Sequence, residues 1–330
     1  MSDQKRHHFV PEFFLLRFAD KDQRVLERPR DRDDFVTNVL NVAAESGFYD
    51  IVQPDGTKSK EVEDRLNQVE GEAAEAMRWI DSSMEAPPPQ SDERDALSKY
   101  LGLQMTRTRE HRERTQFPLK VGAFLDGRDL SREVMAEFLE HVHLGFPATD
   151  GEVQGALDFT ANSLRDPESL TTERSIELMF ETADAVIPIL ADLYWCIEHD
   201  RKGRLITSDT PVVIWTVPSP RDAYMGTGVV NADEIRFPLD PTKQLVMTKR
   251  KHSLSARISP ERSASCNQDM ALASYNFVVA HPLQQSRVSQ LDLPVRRPVL
   301  RFNTGPLFRE QPNASTIQDG EVMHVWVPRR

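Results

Sequence analysis

The longest amphipathic pattern in the chain lies at residues 60–82, and it limits what the rest of the chain can fold into. Apolar residues recur there at steps of three and four, at Val62, Leu66, Val69, Ala73, Met77 and Ile80. That spacing predicts one long helix with a single apolar face. The sequence APPPQSD at 86–92 ends the pattern, because proline inside a helix removes a hydrogen bond and clashes with the preceding turn. A second helix is predicted at about 92–115.

The other segments alternate between helical and extended patterns. An extended KRHHF and a short helix open the chain, and Phe14, Leu15 and Phe18 share one face of that helix. Further helices are predicted at 131–143, 150–164, 170–199 and 266–278. Strands are predicted where β-branched residues cluster between Pro, Gly and Asp, at 22–29, 205–207, 212–215, 235–237, 245–247 and 324–327.

These elements predict an α+β fold, in which a helical middle (about 60–200) packs against β-rich N-terminal and C-terminal segments. The composition changes near residue 200, so we expect two regions, 1–200 and 201–330, packed as one compact unit. Pro188 predicts a kink or boundary in its helix. The apolar run YWCIEH predicts a buried, unreactive Cys196 on a helix.

Composition excludes several classes of protein. The chain of 330 residues has 41 Lys and Arg against 52 Asp and Glu, and its net charge of −11 disfavours binding nucleic acid through bulk charge. Its 2 cysteines exclude a disulfide-stapled scaffold and a Cys-rich zinc finger. Neither an apolar run of membrane-spanning length nor a signal-peptide pattern is present. We therefore expect a cytoplasmic protein without a membrane partner, of unspecified oligomeric state.

Adjacent histidines, His7 and His8, are the first candidate functional residues. In an extended segment their side chains point to opposite faces, so one imidazole can face a site while the other faces solvent or a backbone partner. The alternative is a solvated pair beside Lys5 and Arg6.

Polar residues also border the apolar faces of the first two long helices. Glu63 and Glu70 lie two turns apart on one face, where they either hold a cation, act as acid or base, or face solvent. Gln104 and Arg107 end the apolar face of the second helix, in a basic segment that continues to Arg112. The guanidinium groups of arginines suit phosphate or carboxylate groups, so this segment could bind an anionic ligand. The alternative is that these arginines form salt bridges at the end of the helix.

Ser208 and Asp209 end a predicted strand. An aspartate at such a position has two common roles: it orients a ligand or a histidine, or it caps its own turn.

The HExxH, GxSxG, Walker and GxGxxG motifs do not occur. His141 and His143 fall at a predicted helix end, where positions two apart do not face each other.

Taken in order, five segments resemble one bacterial family, the domain-of-unknown-function 4238 family. The family's patterns HHYVPxFYLRxF, VExxLxxxE, QxxRTPxxR, TSDNP and FPLSP are matched at 7–18, 62–70, 104–112, 207–211 and 237–241. The chain departs from the family's pattern at four positions. These are Phe14 for Tyr, Arg109 for Pro, Thr210 for Asn and Asp240 for Ser. A hydroxyl at 14 and an amide at 210 therefore have no predicted role.

The resemblance implies a set of polar residues rather than an activity, and we expect these residues to meet in one pocket between the helical middle and the β-rich half. The predicted ligands of a divalent metal (Mg, Mn or Zn) are His7, His8, Glu63 and Glu70. The predicted catalytic residues are His8, Gln104, Arg107 and Asp209. The predicted substrate-binding residues are Arg107, Arg112 and Ser208.

This arrangement predicts metal-dependent hydrolysis of a phosphodiester or nucleotide, with a small anionic ligand, a nucleotide or a nucleic-acid end as the partner. The HHxVP start is similar to the opening strand of His-metal-finger nucleases, whose second histidine is the general base, although no NxxxH helix follows. A nuclease in phage defence or in a toxin system is one such function.

The alternative is a non-catalytic binding or sensor module. The same polar residues then form a structural network, or bind an anionic ligand without turnover. Burial separates the two hypotheses, because a structural network is buried and paired within itself, whereas an enzyme site lines an open cleft.

Overall fold

The computed structural model describes residues 6–51, 57, 59–112, 132–139, 147–164, 171–217 and 228–294. The strand predicted at 324–327, together with His141 and His143, lies outside these residues.

Helices and strands follow one another in an α+β order, as the sequence predicts. The helices are α1 (Glu12–Leu15), α2 (Glu61–Ser83), α3 (Asp92–Thr106), α4 (Arg132–Leu139), α5 (Asp150–Leu164), α6 (Thr172–Asp192), α7 (Pro260–Ala273) and α8 (Gln285–Val288). The strands are β1 (Arg6–His8), β2 (Arg24–Pro29), β3 (Phe35–Asn38), β4 (Ala44–Ser46), β5 (Tyr194–His199), β6 (Thr207–Ser208), β7 (Val213–Trp215), β8 (Glu234–Asp240), β9 (Lys243–Thr248), β10 (Ser255–Arg257) and β11 (Phe277–Ala280).

The described strands form three sheets. β1 and β4 make a two-stranded antiparallel sheet. The five-stranded sheet has the order β10-β5-β9-β8-β7, in which β10 and β5 are parallel and the other pairs are antiparallel. The four-stranded sheet has the order β3-β2-β11-β6 and is antiparallel throughout. It joins a strand pair from the N-terminal part of the chain to strands that lie far along the sequence.

The described residues divide into two compact units. The first contains the three sheets, helices α1–α3, α7 and α8, and α6 from Ile176 onward. The second contains α4, α5 and the first residues of α6. The predicted boundary near residue 200 falls inside the first unit, because β5 ends at His199 and pairs with β9 and β10.

The short helix α1 and the turn after it anchor the core of the first unit. Phe14, Leu15 and Phe18 have no exposed surface, so the predicted apolar face is confirmed. The Phe14 ring stacks on Phe237 of β8 at a centroid distance of 4.8 Å, which accounts for an apolar ring at position 14. This contact places the N-terminal segment directly against the five-stranded sheet.

An ion-pair network joins the same turn to two other elements. Arg17 contacts Asp81 of α2 at 2.8 Å and Asp240 of β8 at 3.2 Å. Lys243 of β9 contacts the same two carboxylates at 3.0 and 2.8 Å. A serine at 240 would offer no charge to these two cations, so Asp240 fits the position that it occupies here.

The predicted helix at 170–199 is wrong in its last part. Helix α6 continues through Pro188 but ends at Asp192, and YWCIEH forms strand β5, so Cys196 is buried on a strand and not on a helix. Arg94 explains the helix end, because its guanidinium donates to the carbonyl groups of Ala191 and Leu193 and lies 4.4 Å from the Trp195 ring. Side-chain donors of this kind satisfy the last carbonyl groups of a helix.

Two other predicted helices have different limits in the structure. The second long helix ends at Thr106, and a break separates it from a further helical turn before residue 112. The helix predicted at 266–278 begins at Pro260, because the Ser259 hydroxyl accepts the Arg262 amide and proline is tolerated in a first turn. It ends at Ala273, and the next residues lead into β11.

Helices α4 and α5 of the second unit pack on each other. Met135 and Val153 are buried, and Arg132 donates to the Asp150 carbonyl at 2.9 Å. A capping box starts α5, since the Thr149 amide donates to the Glu152 carboxylate at 2.7 Å. None of the helices in the described part of the chain is long and apolar enough to cross a bilayer.

A close approach of α3 to α6 gives the first testable prediction. A Cβ atom at Gly102 would lie 2.6 Å from Ile187 Cγ1 and 3.2 Å from the Ala183 carbonyl oxygen. Ile187 is β-branched and the carbonyl belongs to the α6 backbone, so neither can yield freely. We expect Gly102→Ala to lower the free energy of unfolding by about 1–3 kcal/mol, measured by chemical denaturation.

Gly71→Ala is the matched control, because nothing lies within 4 Å of a Cβ atom at Gly71 on α2. Alanine there is expected to raise the free energy of unfolding by about 0.5–1 kcal/mol through helix propensity alone. Equal gains at both glycines would contradict the close packing of α3 on α6.

Candidate functional site

The N-terminal strand β1 is held between a strand and a helix. The Phe9 amide extends the β1–β4 pairing by donating to the Ala43 carbonyl at 2.9 Å. From α3, Arg107 Nη2 donates to the His8 carbonyl at 2.8 Å, and Gln104 Nε2 donates to the Phe9 carbonyl at 3.1 Å. Two side chains of one helix therefore bind consecutive carbonyl groups at the end of β1.

Arg107 is the C-cap residue of α3 and is buried, with a side chain only 3% exposed. Besides the His8 carbonyl, its Nη1 donates to Glu70 Oε1 at 2.7 Å and its Nε donates to the Tyr49 hydroxyl at 3.2 Å. Burial alone would lower the pKa of Arg107, but Tyr49 and Glu70 raise it above its ordinary value. Arg107 is therefore a permanent cation whose three nitrogens all have protein acceptors.

His7 lies on the buried face of β1, and its two ring nitrogens face different groups. Its Nδ1 accepts the Tyr49 amide at 3.1 Å. Its Nε2 lies 2.6 Å from Glu63 Oε1 and 3.7 Å from Asp50 Oδ1. Because Nδ1 is an acceptor, the proton of the neutral ring is on Nε2, the nitrogen that faces the carboxylates.

His8 points to the opposite face and is half-buried, as the alternation of a strand predicts. Its Nε2 lies 3.4 Å from the Val39 carbonyl oxygen, so this imidazole faces a backbone partner. Burial lowers the pKa of His8, and the carbonyl of Val39 and the charges of Glu12 and Glu70 only partly oppose that shift. His8 is therefore held toward its neutral form.

Gln104 has no exposed surface, and the two polar atoms of its side-chain amide differ in whether they have a hydrogen-bond partner. The Nε2 group binds the Phe9 carbonyl, whereas the Oε1 atom has no hydrogen-bond partner within the described residues. The hydroxyl of Tyr100, one turn earlier on α3, is a second such buried atom. The predicted role of Gln104, which is to position a water or a base, stays a prediction, and the unpartnered Oε1 atom is the group available for it.

The predicted metal ligands fall into separate contacts. Glu63 contacts His7, Glu70 neutralises Arg107, and His8 faces the carbonyl of Val39. No three His, Cys, Asp or Glu side chains of the described residues are arranged to hold a metal ion. The structure pairs His7 with Glu63 and Arg107 with Glu70. A metal bound by these residues stays a prediction.

Ser208 ends β6 and Asp209 follows it, and the Asp209 carboxylate binds the segment that leads into β11. The Ser208 hydroxyl accepts the Thr210 amide at 3.0 Å, and Asp209 accepts the amides of Tyr275 and Asn276 at 2.8 and 2.6 Å. Burial raises the pKa of Asp209 to about 7, the amides of Asn276 and Tyr275 oppose that shift, and the charge of Glu110 adds to it. These contacts fix the turn between the helix α7 and β11.

Arg112, the other predicted phosphate ligand, is the last residue of its described segment and belongs to the second unit. Sequence reasoning missed Tyr49 and Asp50, which follow β4. Tyr49 contacts both His7 and Arg107, and the Asp50 carboxylate lies 3.7 Å from His7 Nε2. The only signal for them is an aromatic residue and an acid just after Gly47, whose positive φ of 72° turns the chain toward the cluster.

Fold and site together define an α+β protein in which a buried His–Arg–carboxylate cluster joins β1, α2 and α3. A family model described as "Protein of unknown function (DUF4238)" matches residues 6–284 of the chain. The chain therefore belongs to this family. Searches of curated proteins and of solved structures find no match.

Asp209 gives a prediction about pH. Because its pKa is raised from 3.8 to about 7, the folded state holds a proton that the unfolded state has lost across this window. The free energy of unfolding therefore falls as the pH rises from 3.8 to about 7, with a slope of at most about 1.4 kcal/mol per pH unit. Above about pH 7 it levels off.

Asp209→Asn has no such proton, so urea denaturation of both proteins from about pH 5 to about pH 8 isolates the effect. The unfolding free energy of the wild type should fall relative to that of the variant over this range. Parallel pH profiles would show that Asp209 is ionised throughout.

Proposed function

We propose that this protein is a non-catalytic binding or sensor module, and that the cluster around Arg107 is a structural network. The observation that carries the proposal is the state of the Arg107 guanidinium, which is only 3% exposed and whose three nitrogens each donate to a protein acceptor. An arginine that clamps a substrate phosphate needs part of its planar fork free for the ligand.

The burial of Arg107 also accounts for Glu70. Leaving a buried charge without its partner is strongly destabilising, by about 3–5 kcal/mol in measured cases. Glu70 is 21% exposed and lies 2.7 Å from the guanidinium, so its first role is to neutralise that charge. The pair holds α2 and α3 together, and the third donor of Arg107 holds β1.

His7 supports the same proposal through its tautomer. A histidine that binds a metal through Nε2 must present a lone pair there. Since Nδ1 already accepts the Tyr49 amide, Nε2 carries the proton of the neutral ring; it lies 2.6 Å from Glu63 Oε1, but the angle of that contact is not that of a hydrogen bond. Binding a metal at this nitrogen would require the neutral ring to lose its one N–H proton or to give up the Tyr49 amide.

Metal-dependent hydrolysis of a phosphodiester or nucleotide, with a nuclease in phage defence or in a toxin system as one form, stays a prediction. One observation favours it: two carboxylates, Asp50 and Glu63, approach the same nitrogen of His7. Carboxylates and imidazoles grouped in this way are ligands that divalent cations prefer.

Elemental mass spectrometry of protein purified without a His tag separates the two hypotheses. A structural network predicts no near-stoichiometric Mg, Mn or Zn, even after incubation with these metals. Near-stoichiometric metal in the wild type that is lost in His7→Ala/His8→Ala would overturn the proposal and support the hydrolase.

Neutralising the carboxylates of the cluster tests its structural role directly. Glu63→Gln and Glu70→Gln keep the shape of each side chain but remove the charge that faces His7 or Arg107. We expect each variant to lower the free energy of unfolding by about 1–3 kcal/mol, because the close contact with His7 or Arg107 loses the charge of its carboxylate. The measurement is urea denaturation at neutral pH.

Glu75→Gln is the matched control on the same helix, because the Glu75 side chain is 78% exposed and lies 3.7 Å from Arg78. Its effect should stay within about 0.5 kcal/mol. Catalytic or metal-binding carboxylates behave differently, since removing them often leaves stability unchanged or raises it. A gain in stability at Glu63 and Glu70 would therefore favour an active site.

A further inference from the structure

We propose that a basic cavity beside α8 binds the phosphate group of a small phosphorylated molecule. The cavity has a volume of about 350 Å³, and its lining includes Lys202, Gly203, His281, Leu283, Ser286 and Arg287. None of these residues belongs to the cluster around Arg107. The inference rests on the proposed binding function and names the class of its ligand.

In the part of the chain that the structure describes, no acidic side chain pairs with the cations that line the cavity. Within the described residues, the side chains of Lys202 and Arg287 have neither an ion-pair nor a hydrogen-bond partner. Asp200 is the acid closest to Lys202 in sequence, but its carboxylate binds Arg204 at 2.7 and 2.8 Å and the Ser263 hydroxyl at 2.7 Å. Two cations therefore face the same cavity with their donors available.

His281 and Ser286 add neutral donors to the same lining. The Nδ1 atom of His281 accepts the Leu283 amide at 3.2 Å, so the proton of the neutral ring is on Nε2. The Ser286 side chain is exposed and its hydroxyl rotates freely. A lysine, an arginine, an imidazole N–H and a hydroxyl are together a set of donors that suits phosphate oxygens.

Hydrogen bonds hold the two walls of the cavity together before any ligand binds. Gln284 is 7% exposed, and its Nε2 donates to the Gly203 carbonyl at 2.7 Å. The Leu205 amide donates to the Pro241 carbonyl at 3.0 Å, which fixes the same turn on the β8–β9 hairpin. Gly203 adopts a φ of +60°, which a glycine reaches without strain. A preformed site loses less conformational entropy when it binds.

The remaining lining indicates an organic phosphate. Leu283 is 88% exposed beside the cationic residues, and Pro241 adds a second apolar surface to the cavity. The volume of about 350 Å³ lies within the range of small-molecule sites, roughly 300–1,000 Å³. A phosphomonoester matches both the donors and the apolar surface of the cavity, because its phosphate binds the donors while its organic part covers Leu283.

Isothermal titration calorimetry of the full chain with AMP, inorganic phosphate and adenosine tests this inference. We expect AMP and phosphate to bind at one site per chain and adenosine to bind at least about tenfold more weakly than AMP, because it lacks the phosphate that the donors require. Lys202→Gln/Arg287→Gln should weaken AMP binding by at least about tenfold, since two charge-assisted contacts are lost.

Arg250→Gln/Lys251→Gln is the matched control, because it removes the same charge from exposed residues between β9 and β10. This control should bind AMP like the wild type. Absence of AMP and phosphate binding at about 10 mM would overturn the inference, as would equal binding by the wild type and the cavity variant. Melting temperatures confirm that both variants fold, and the stability test at Glu63 and Glu70 remains independent of this outcome.

Discussion

The burial of one positive charge determines how the N-terminal half of this protein is assembled. The Arg107 guanidinium lies beneath β1, where water cannot solvate it, so protein groups must supply every acceptor that it needs. Those acceptors come from three places in the sequence: Tyr49 after β4, Glu70 on α2 and the carbonyl of His8 on β1. Moving any of these segments would leave one nitrogen of the buried guanidinium without its acceptor, so their arrangement is specified as a set.

Buried arginines serve the same purpose elsewhere in the first unit. Arg94 binds the last carbonyl groups of α6 and stacks on Trp195, so it fixes the point at which that helix gives way to β5. Arg30 donates to the carbonyl groups of Ala271 and Ser274 at 2.6 Å and closes the end of α7. In each case the guanidinium group donates to backbone carbonyl oxygens that have no hydrogen-bond partner within a helix or a sheet. Irregular segments can therefore be buried without leaving these oxygens unpaired.

How much of this could be predicted depends on how local the determining interactions are. Helix α2 runs from Glu61 to Ser83, close to its predicted limits, because apolar periodicity and the prolines after it are both local signals. YWCIEH was assigned wrongly because a short apolar run fits a helix as well as a strand, and its pairing with β9 lies about fifty residues away. Local patterns carry no information on that pairing.

The same distinction applies to the site. The resemblance to the family singled out His7, Glu63, Gln104 and Arg107, and in the structure each of them lies on or contacts the segment from His7 to Phe9. Which partner each would take was not readable, because it depends on the register of β1 against α3 and on a loop residue, Tyr49. Asp209 was expected in the same pocket, but its carboxylate binds the turn before β11. A carboxylate that ends a strand serves a turn as readily as a ligand.

A double-mutant cycle on Arg107 and Glu70 tests the central claim most directly. The free energy of unfolding is measured by urea denaturation for the wild type, Arg107→Met, Glu70→Gln and the double variant. A structural network predicts strong coupling, with the double variant losing at least about 1 kcal/mol less than the sum of the two single losses. Additive losses would show that the two residues act independently, which would contradict the role of Glu70 as the counter-charge of Arg107.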